Sequence, residues 1–148
     1  MPQSYIKRIL DARVYDVARE TPVEEATLMS RRLENRVWLK REDLQPVFSF
    51  KLRGAYNKMH RLTEEQRKRG VVAASAGNHA QGLAMAAQRM NVKATIVMPR
   101  TTPQIKVDAV RDRGARVVLH GDSFEEAAEQ ATRLVADKGL TYVHPFDD

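Results

Sequence analysis

An α/β fold, a parallel sheet flanked by helices, is the architecture that this 148-residue sequence predicts. Two observations carry the prediction. Short apolar runs at Val71 to Ala74, Ala94 to Met98, Arg116 to Leu119 and Thr141 to Val143 alternate with longer stretches of helical pattern. Residues that start and stop helices punctuate those stretches, and strands alternating with helices of such length pair in parallel, with the helices on the sheet faces.

Taken in order, residues 1–36 are polar and weakly periodic, although Thr21-Pro22-Val23-Glu24 has the capping-residue, proline and acid order of a helix start. Val37-Trp38-Leu39-Lys40-Arg41 predicts a strand. Gln45-Pro46 then interrupts, and Ser49 is placed as the N-cap of a helix running from Phe50 to about Leu62. That helix carries Lys51 in its first turn. Val71 to Ala74 is the first strand of the regular series, and a helix from His79 to Met90 follows it. Ala80, Gly82, Ala84, Ala86 and Ala87 on that helix predict a close approach to the sheet. After Ala94 to Met98, Thr102-Pro103 opens the next helix and Gly114 follows it. After Arg116 to Leu119, Ser123 with Glu126 forms a capping box, and Gly139 closes the last helix before Thr141 to Val143.

Bulk properties narrow the function. The chain is 43% hydrophobic, enough for one compact domain with a sizeable core. No apolar run approaches the roughly 20 residues that span a bilayer, and the opening Met1-Pro2-Gln3-Ser4-Tyr5 lacks the charged-then-apolar pattern of a secretory signal. The expectation is a soluble, cytoplasmic protein with no membrane partner. The absence of cysteine removes disulfides, thiol catalysis and zinc–thiolate sites, and suits a reducing compartment. A formal charge of +6 comes from 25 basic and 19 acidic residues, dispersed in short clusters such as Arg31-Arg32 and Arg67-Lys68-Arg69. Acids interleave them and no aromatic residues build a stacking platform, so a solvated surface is expected rather than nucleic acid as a partner.

Two segments carry chemistry. Lys51 is one of many cations, and its bland reading is an exposed lysine on a basic helix. A cation in the first turn of a helix nevertheless meets an unfavourable dipole, and Phe48, Phe50 and Leu52 would desolvate it. Both effects favour the neutral amine, the form that a Schiff-base lysine requires. Ser75-Ala76-Gly77-Asn78-His79 joins a strand end to a helix start, where unpaired N–H groups and the dipole favour an anion. Gly77 and Asn78 also suit a plain turn. Read functionally, the backbone donors hold a substrate carboxylate while the Asn78 amide bonds the phenolic oxygen of a pyridine cofactor. His79 is expected to cap or pack. His60, His120 and His144 lie in different segments without acids at ligand spacing, so no metal site is expected. Ser49 stands at the wrong spacing from Lys51 for a Ser-x-x-Lys pair and no Gly-x-Ser-x-Gly elbow exists, which leaves serine hydrolysis unsupported.

Lys40-Arg41-Glu42-Asp43, Ser49-Phe50-Lys51-Leu52-Arg53-Gly54-Ala55 and Ser75-Ala76-Gly77-Asn78-His79-Ala80-Gln81-Gly82 resemble the threonine deaminase (threonine ammonia-lyase) family over essentially the whole chain. That family is pyridoxal 5'-phosphate-dependent and of fold type II. Glu42-Asp43-Leu44-Gln45-Pro46-Val47 looks more like its biosynthetic branch, which makes 2-oxobutanoate for isoleucine, than its degradative branch. The signature belongs more loosely to serine dehydratases and serine racemases, which stay as alternatives.

The resemblance implies that Lys51 is the catalytic lysine holding pyridoxal phosphate, that Asn78 contacts its ring oxygen and that Phe50 packs beside its ring. Ser75, Gly77, Asn78 and His79 would form the loop receiving the substrate carboxylate. L-threonine, or L-serine, would lose its β-hydroxyl once the freed lysine takes the Cα proton, and hydrolysis of the threonine product would yield 2-oxobutanoate and ammonia. Racemising relatives generally carry a serine immediately before the Gly-Asn pair; Ala76 stands here, which implies elimination rather than racemisation. Residues 1–53 would be the N-terminal portion of the family's large domain, and 54–148 its small subdomain with a parallel four-stranded sheet. The family's glycine-rich phosphate loop, the rest of its catalytic domain and its isoleucine-sensing domain have no counterpart here, so the chain alone is expected to be inactive or weak and to retain the cofactor poorly. The complete enzyme is expected to be a homotetramer. A rival of another class is a non-catalytic α/β binding module that keeps Lys51 without using it.

Overall fold

The computed structural model describes residues 5–148; the opening residues 1–4, read above for a secretory signal, lie outside them. After α1 (Tyr5–Leu10), the first strand β1 (Val23–Glu25) and then α2 (Thr27–Arg32) lead to β2 (Trp38–Lys40), which pairs antiparallel with β1. The helix start expected at Thr21 is therefore a strand. Its cause is tertiary: the Arg41 N–H donates to the Pro22 carbonyl at 3.0 Å and Val23 registers against Lys40. A cap signal is weak beside a pairing of that kind.

The helix carrying Lys51, α3, runs Lys51–His60, and a short helix α4 (Glu64–Arg69) follows. Ser49 does not cap α3, as was expected of it. Phe50 occupies the N-cap position with no side-chain hydrogen bond, and the Ser49 hydroxyl is buried without a partner. The α4 helix was unforeseen although its signal is local, because Thr63 and Gln66 make a complete capping box.

From here the chain follows the predicted series. β3 (Val71–Ala74), α5 (Asn78–Met90), β4 (Ala94–Met98), α6 (Gln104–Arg111), β5 (Arg116–Leu119), α7 (Phe124–Lys138) and β6 (Thr141–Tyr142) build a four-stranded sheet of order β5-β4-β3-β6, parallel throughout. Ser123 and Glu126 cap α7 reciprocally, and Gly139 ends it at φ +63°, a conformation that glycine adopts without steric cost. Period-2 alternation sorts the central strand between two cores. Val71 and Ala73 pack with Met59, Leu83, Ile96 and Val107 on the face covered by α3, α5 and α6. Val72 and Ala74 pack with Val97, Ala127 and Ala131 under α7. The carboxyl ends of β3 and β6 open side by side, and in parallel α/β sheets this is the edge that receives ligands.

Candidate active site

Lys51 is the first residue of α3, and its Nζ donates to the Pro145 carbonyl just beyond β6 at 2.6 Å. It borders a cleft of about 710 Å³ whose walls include Phe50, His79, Val143 and Pro145. The desolvation expected from its aromatic neighbours is not realised: Phe48 is 74% exposed and Phe50 60% exposed. Only Leu52 turns inward, because a helix sends adjacent residues to different faces. Phe50 instead offers its ring to the amine, with Nζ 5.5 Å from the centroid.

The Ser75–His79 loop leaves β3 and becomes α5. The Ser75 hydroxyl is buried and accepts from the N–H of Gly77 at 3.3 Å and of Ala80 at 3.2 Å. Ser75 thus shapes the loop through its side chain, and the donors left to a ligand are other backbone groups of the first turn of α5. His79 is 5% exposed and its Nε2 lies 3.0 Å from the Val143 carbonyl. A carbonyl only accepts, so Nε2 carries the proton; burial, the strongest influence, pushes the imidazole pKa down and keeps the ring neutral. His79 packs, as its position predicts.

What brings loop and lysine together is Gly82. A β-carbon there would stand 3.0 Å from the Lys51 carbonyl carbon and 3.1 Å from the Leu52 nitrogen, so any larger residue would push the backbone of α3 away by a few tenths of an ångström, and glycine lets α5 lie against it. The small residues of α5 were expected to serve the sheet; at Gly82 they serve the neighbouring helix. Asn78 is one turn before Gly82 and shares its helix face. Of the predicted site residues, Lys51, Phe50 and His79 line one cleft, while Ser75, Gly77 and Asn78 stand at the start of α5 without lining it.

A second group of residues has no site role in the sequence analysis. Arg53 reaches Glu42 through Nε at 2.8 Å and Nη2 at 3.1 Å, a two-pronged ion pair. Thr21 and Gln45 donate to the same carboxylate, at 2.7 Å and 3.3 Å. The Arg53 guanidinium, together with the Thr21 and Gln45 donors, holds the Glu42 pKa down at about 2 against the opposing effect of burial. Gln45, 1% exposed, clasps the Arg19 backbone through both ends of its amide, at 2.9 Å and 2.8 Å. Glu42 and Arg53 lie eleven residues apart in segments with no shared periodicity, so only their opposite charge hinted at the pairing.

The chain matches the family model described as pyridoxal-phosphate dependent enzyme over residues 14–148. It belongs to that family. Similar sequences include the threonine dehydratase of Nicotiana attenuata, 57% identical over 97% of this chain and 24% of that protein. A biosynthetic L-threonine dehydratase of Burkholderia multivorans is 59% identical over 97% of this chain and 29% of its own length. Among solved structures, the processed form of threonine deaminase isoform 2 from Solanum lycopersicum superposes with a TM-score of 0.91 at 57% identity, covering 97% of this chain and 40% of that one. The chain thus spans about a quarter of the length of the curated relatives it matches. The fold is that of fold type II, as the resemblance implied.

The residues present fit the family's cofactor. A primary amine stands beside a cleft of adequate size, and an aromatic ring flanks it. Among the described residues no three His, Cys, Asp or Glu side chains gather where they could hold a metal, and no helix is long and apolar enough to cross a membrane.

Proposed function

We propose that this chain forms part of a threonine ammonia-lyase that converts L-threonine to 2-oxobutanoate and ammonia in isoleucine biosynthesis, with L-serine as a second substrate. The observation that carries the reading is the meeting of Lys51 with the start of α5 across Gly82. An amine and an anion cradle then share one edge of the sheet, which is the donor set that an amino acid's α-carbon and carboxylate require.

Each residue has a task. Lys51 would hold pyridoxal phosphate covalently, and its Nζ, which here donates to the Pro145 carbonyl, would be the group that accepts the Cα proton. Asn78 would donate its side-chain amide to the cofactor's ring oxygen, and Phe50 would flank the ring. The Ser75, Gly77, Asn78 and His79 loop receives the substrate carboxylate, chiefly through backbone N–H groups, since the Ser75 hydroxyl and the His79 ring are engaged internally. The cofactor, when bound, supplies an electron sink for the carbon that loses its proton. The β-hydroxyl departs as water, and a water molecule returns on hydrolysis, so substrate and products balance. Ala76 offers no proton on the opposite face, which favours elimination over racemisation.

We assign residues 1–53 to a large-domain portion and 54–148 to the small subdomain, with α3 crossing between them. The complete enzyme is read as a cytoplasmic homotetramer that binds neither nucleic acid nor membrane. The test is the absorbance of the purified protein with pyridoxal phosphate, followed by borohydride reduction and mapping of the modified lysine. Label concentrated on Lys51, and lost in Lys51→Ala, is the expected result. Equal cofactor binding by both proteins would sink the catalytic reading in favour of a binding module that retains Lys51 idly.

A further inference from the structure

The helix that presents Lys51 has no N-terminal cap. Phe50 contributes no side-chain bond, the first turn holds no acid, and the Ser49 hydroxyl meets nothing. Helix starts in this condition fray, because their first N–H groups lack partners. Besides the burial of Leu52, two contacts hold the turn. Gly82 lets α5 press against the Lys51–Leu52 backbone, and Arg53 forks onto Glu42.

Successive helical residues turn by about 100°, so two positions turn by about 200°. With Arg53 directed to Glu42, Lys51 is directed the other way, into the cleft beside Pro145. We propose that Glu42 and Arg53 are positioning residues for Lys51: their fork fixes the rotation of the first turn of α3 and with it the direction of the lysine amine. The inference rests on the reading of Lys51 as the cofactor's lysine.

Glu42 suits the task because the side chains that hold it are themselves tied down, Gln45 and Arg53 both reaching the Arg19 backbone. Thr21 donates to it at 2.7 Å, the Arg53 Nη2 also reaches the Arg19 carbonyl at 3.3 Å, and Gln45 ties the 3-10 turn Glu42–Leu44 to Arg19 through two bonds. Arg53 also lies over the Tyr15 ring, 5.2 Å from its centroid. A guanidinium in a two-pronged pair defines an angle, whereas an ammonium in its place would restore charge without direction.

Reductive trapping with pyridoxal phosphate and borohydride, read by mass spectrometry as the share of label on Lys51 among all lysines, separates positioning from stability. Arg53→Lys and Glu42→Gln are compared with the unaltered chain well below their melting temperatures, with circular dichroism confirming the fold. The expected result is label concentrated on Lys51 in the unaltered chain and a share reduced by about tenfold in both folded variants, the scale on which misplacing a reacting group acts. If Arg53→Lys does not fold, Glu42→Gln, which keeps the side-chain shape, decides alone. An undiminished Lys51 share in a folded variant overturns the positioning role and leaves the site reading intact. Diffuse label in the unaltered chain overturns both.

Discussion

The N-terminal stretch and the sheet region are held by different forces. Among residues 5–50 the buried apolar side chains are Ala18 and Val47, against four buried polar ones: Thr21, Ser30, Gln45 and Ser49. Between residues 71 and 143 the balance reverses, with all of β3, most of β4 and much of α5 buried and apolar, and Ser75 and His79 the buried polar residues. The sheet region is assembled by area removed from water, which is non-directional. The N-terminal stretch is assembled by hydrogen bonds to fixed partners, which are directional and fail when one partner goes.

The largest test of that contrast sets a core deletion against a polar one. Leu83, fully buried among the sheet-side helices, should cost about 3 kcal/mol as Leu83→Ala, measured by denaturant melting. Gln45→Ala should cost about 2 kcal/mol despite removing a polar side chain, because it orphans the Arg19 N–H, takes from the Arg19 carbonyl its shorter bond and leaves a buried void. A Gln45→Ala cost near zero would break the comparison by showing that the N-terminal stretch needs no such clasp.

The same contrast explains what could be read from the sequence. Apolar periodicity located β3, β4, β5 and β6 within a residue or so, and local capping chemistry located both ends of α7, because each signal lies within a few neighbouring residues. β1 was mistaken for a helix start since its partner β2 lies some fifteen residues on. Lys51 and the Ser75–His79 loop were legible as chemistry from the types of residue they bring together. Pro145 as the lysine's partner, Gly82 as the contact point and Glu42 as the anchor of α3 were not, because each depends on a meeting made only by the folded chain.

Acid should sharpen the comparison further. The folded-state pKa of Glu42 is held down at about 2, below the ordinary glutamate value of about 4.3, so the folded form binds fewer protons than the unfolded form across that interval. The contribution of Glu42 is complete above the unfolded value and is lost as pH falls from about 4.3 towards about 2, with a slope of roughly one proton. Stability measured through that window should fall less steeply in Glu42→Gln than in the unaltered chain. Parallel curves would mean that the carboxylate is not engaged as drawn.

Two serines give the smallest and most discriminating test, because the sequence marks both as helix caps. Ser123 is one: its hydroxyl accepts from the Glu126 N–H at 3.2 Å, and the Glu126 carboxylate returns to the Ser123 N–H at 3.2 Å. Ser123→Ala should cost about 1 kcal/mol. Ser49 is not, since its buried hydroxyl meets no partner, and replacing an unsatisfied polar group with a methyl removes a desolvation cost and sacrifices no bond. Ser49→Ala should therefore melt at or above the temperature of the unaltered chain. A loss at Ser49 as large as that at Ser123 would mean that α3 is capped after all, and the need for Glu42 and Arg53 to hold its first turn would go with it.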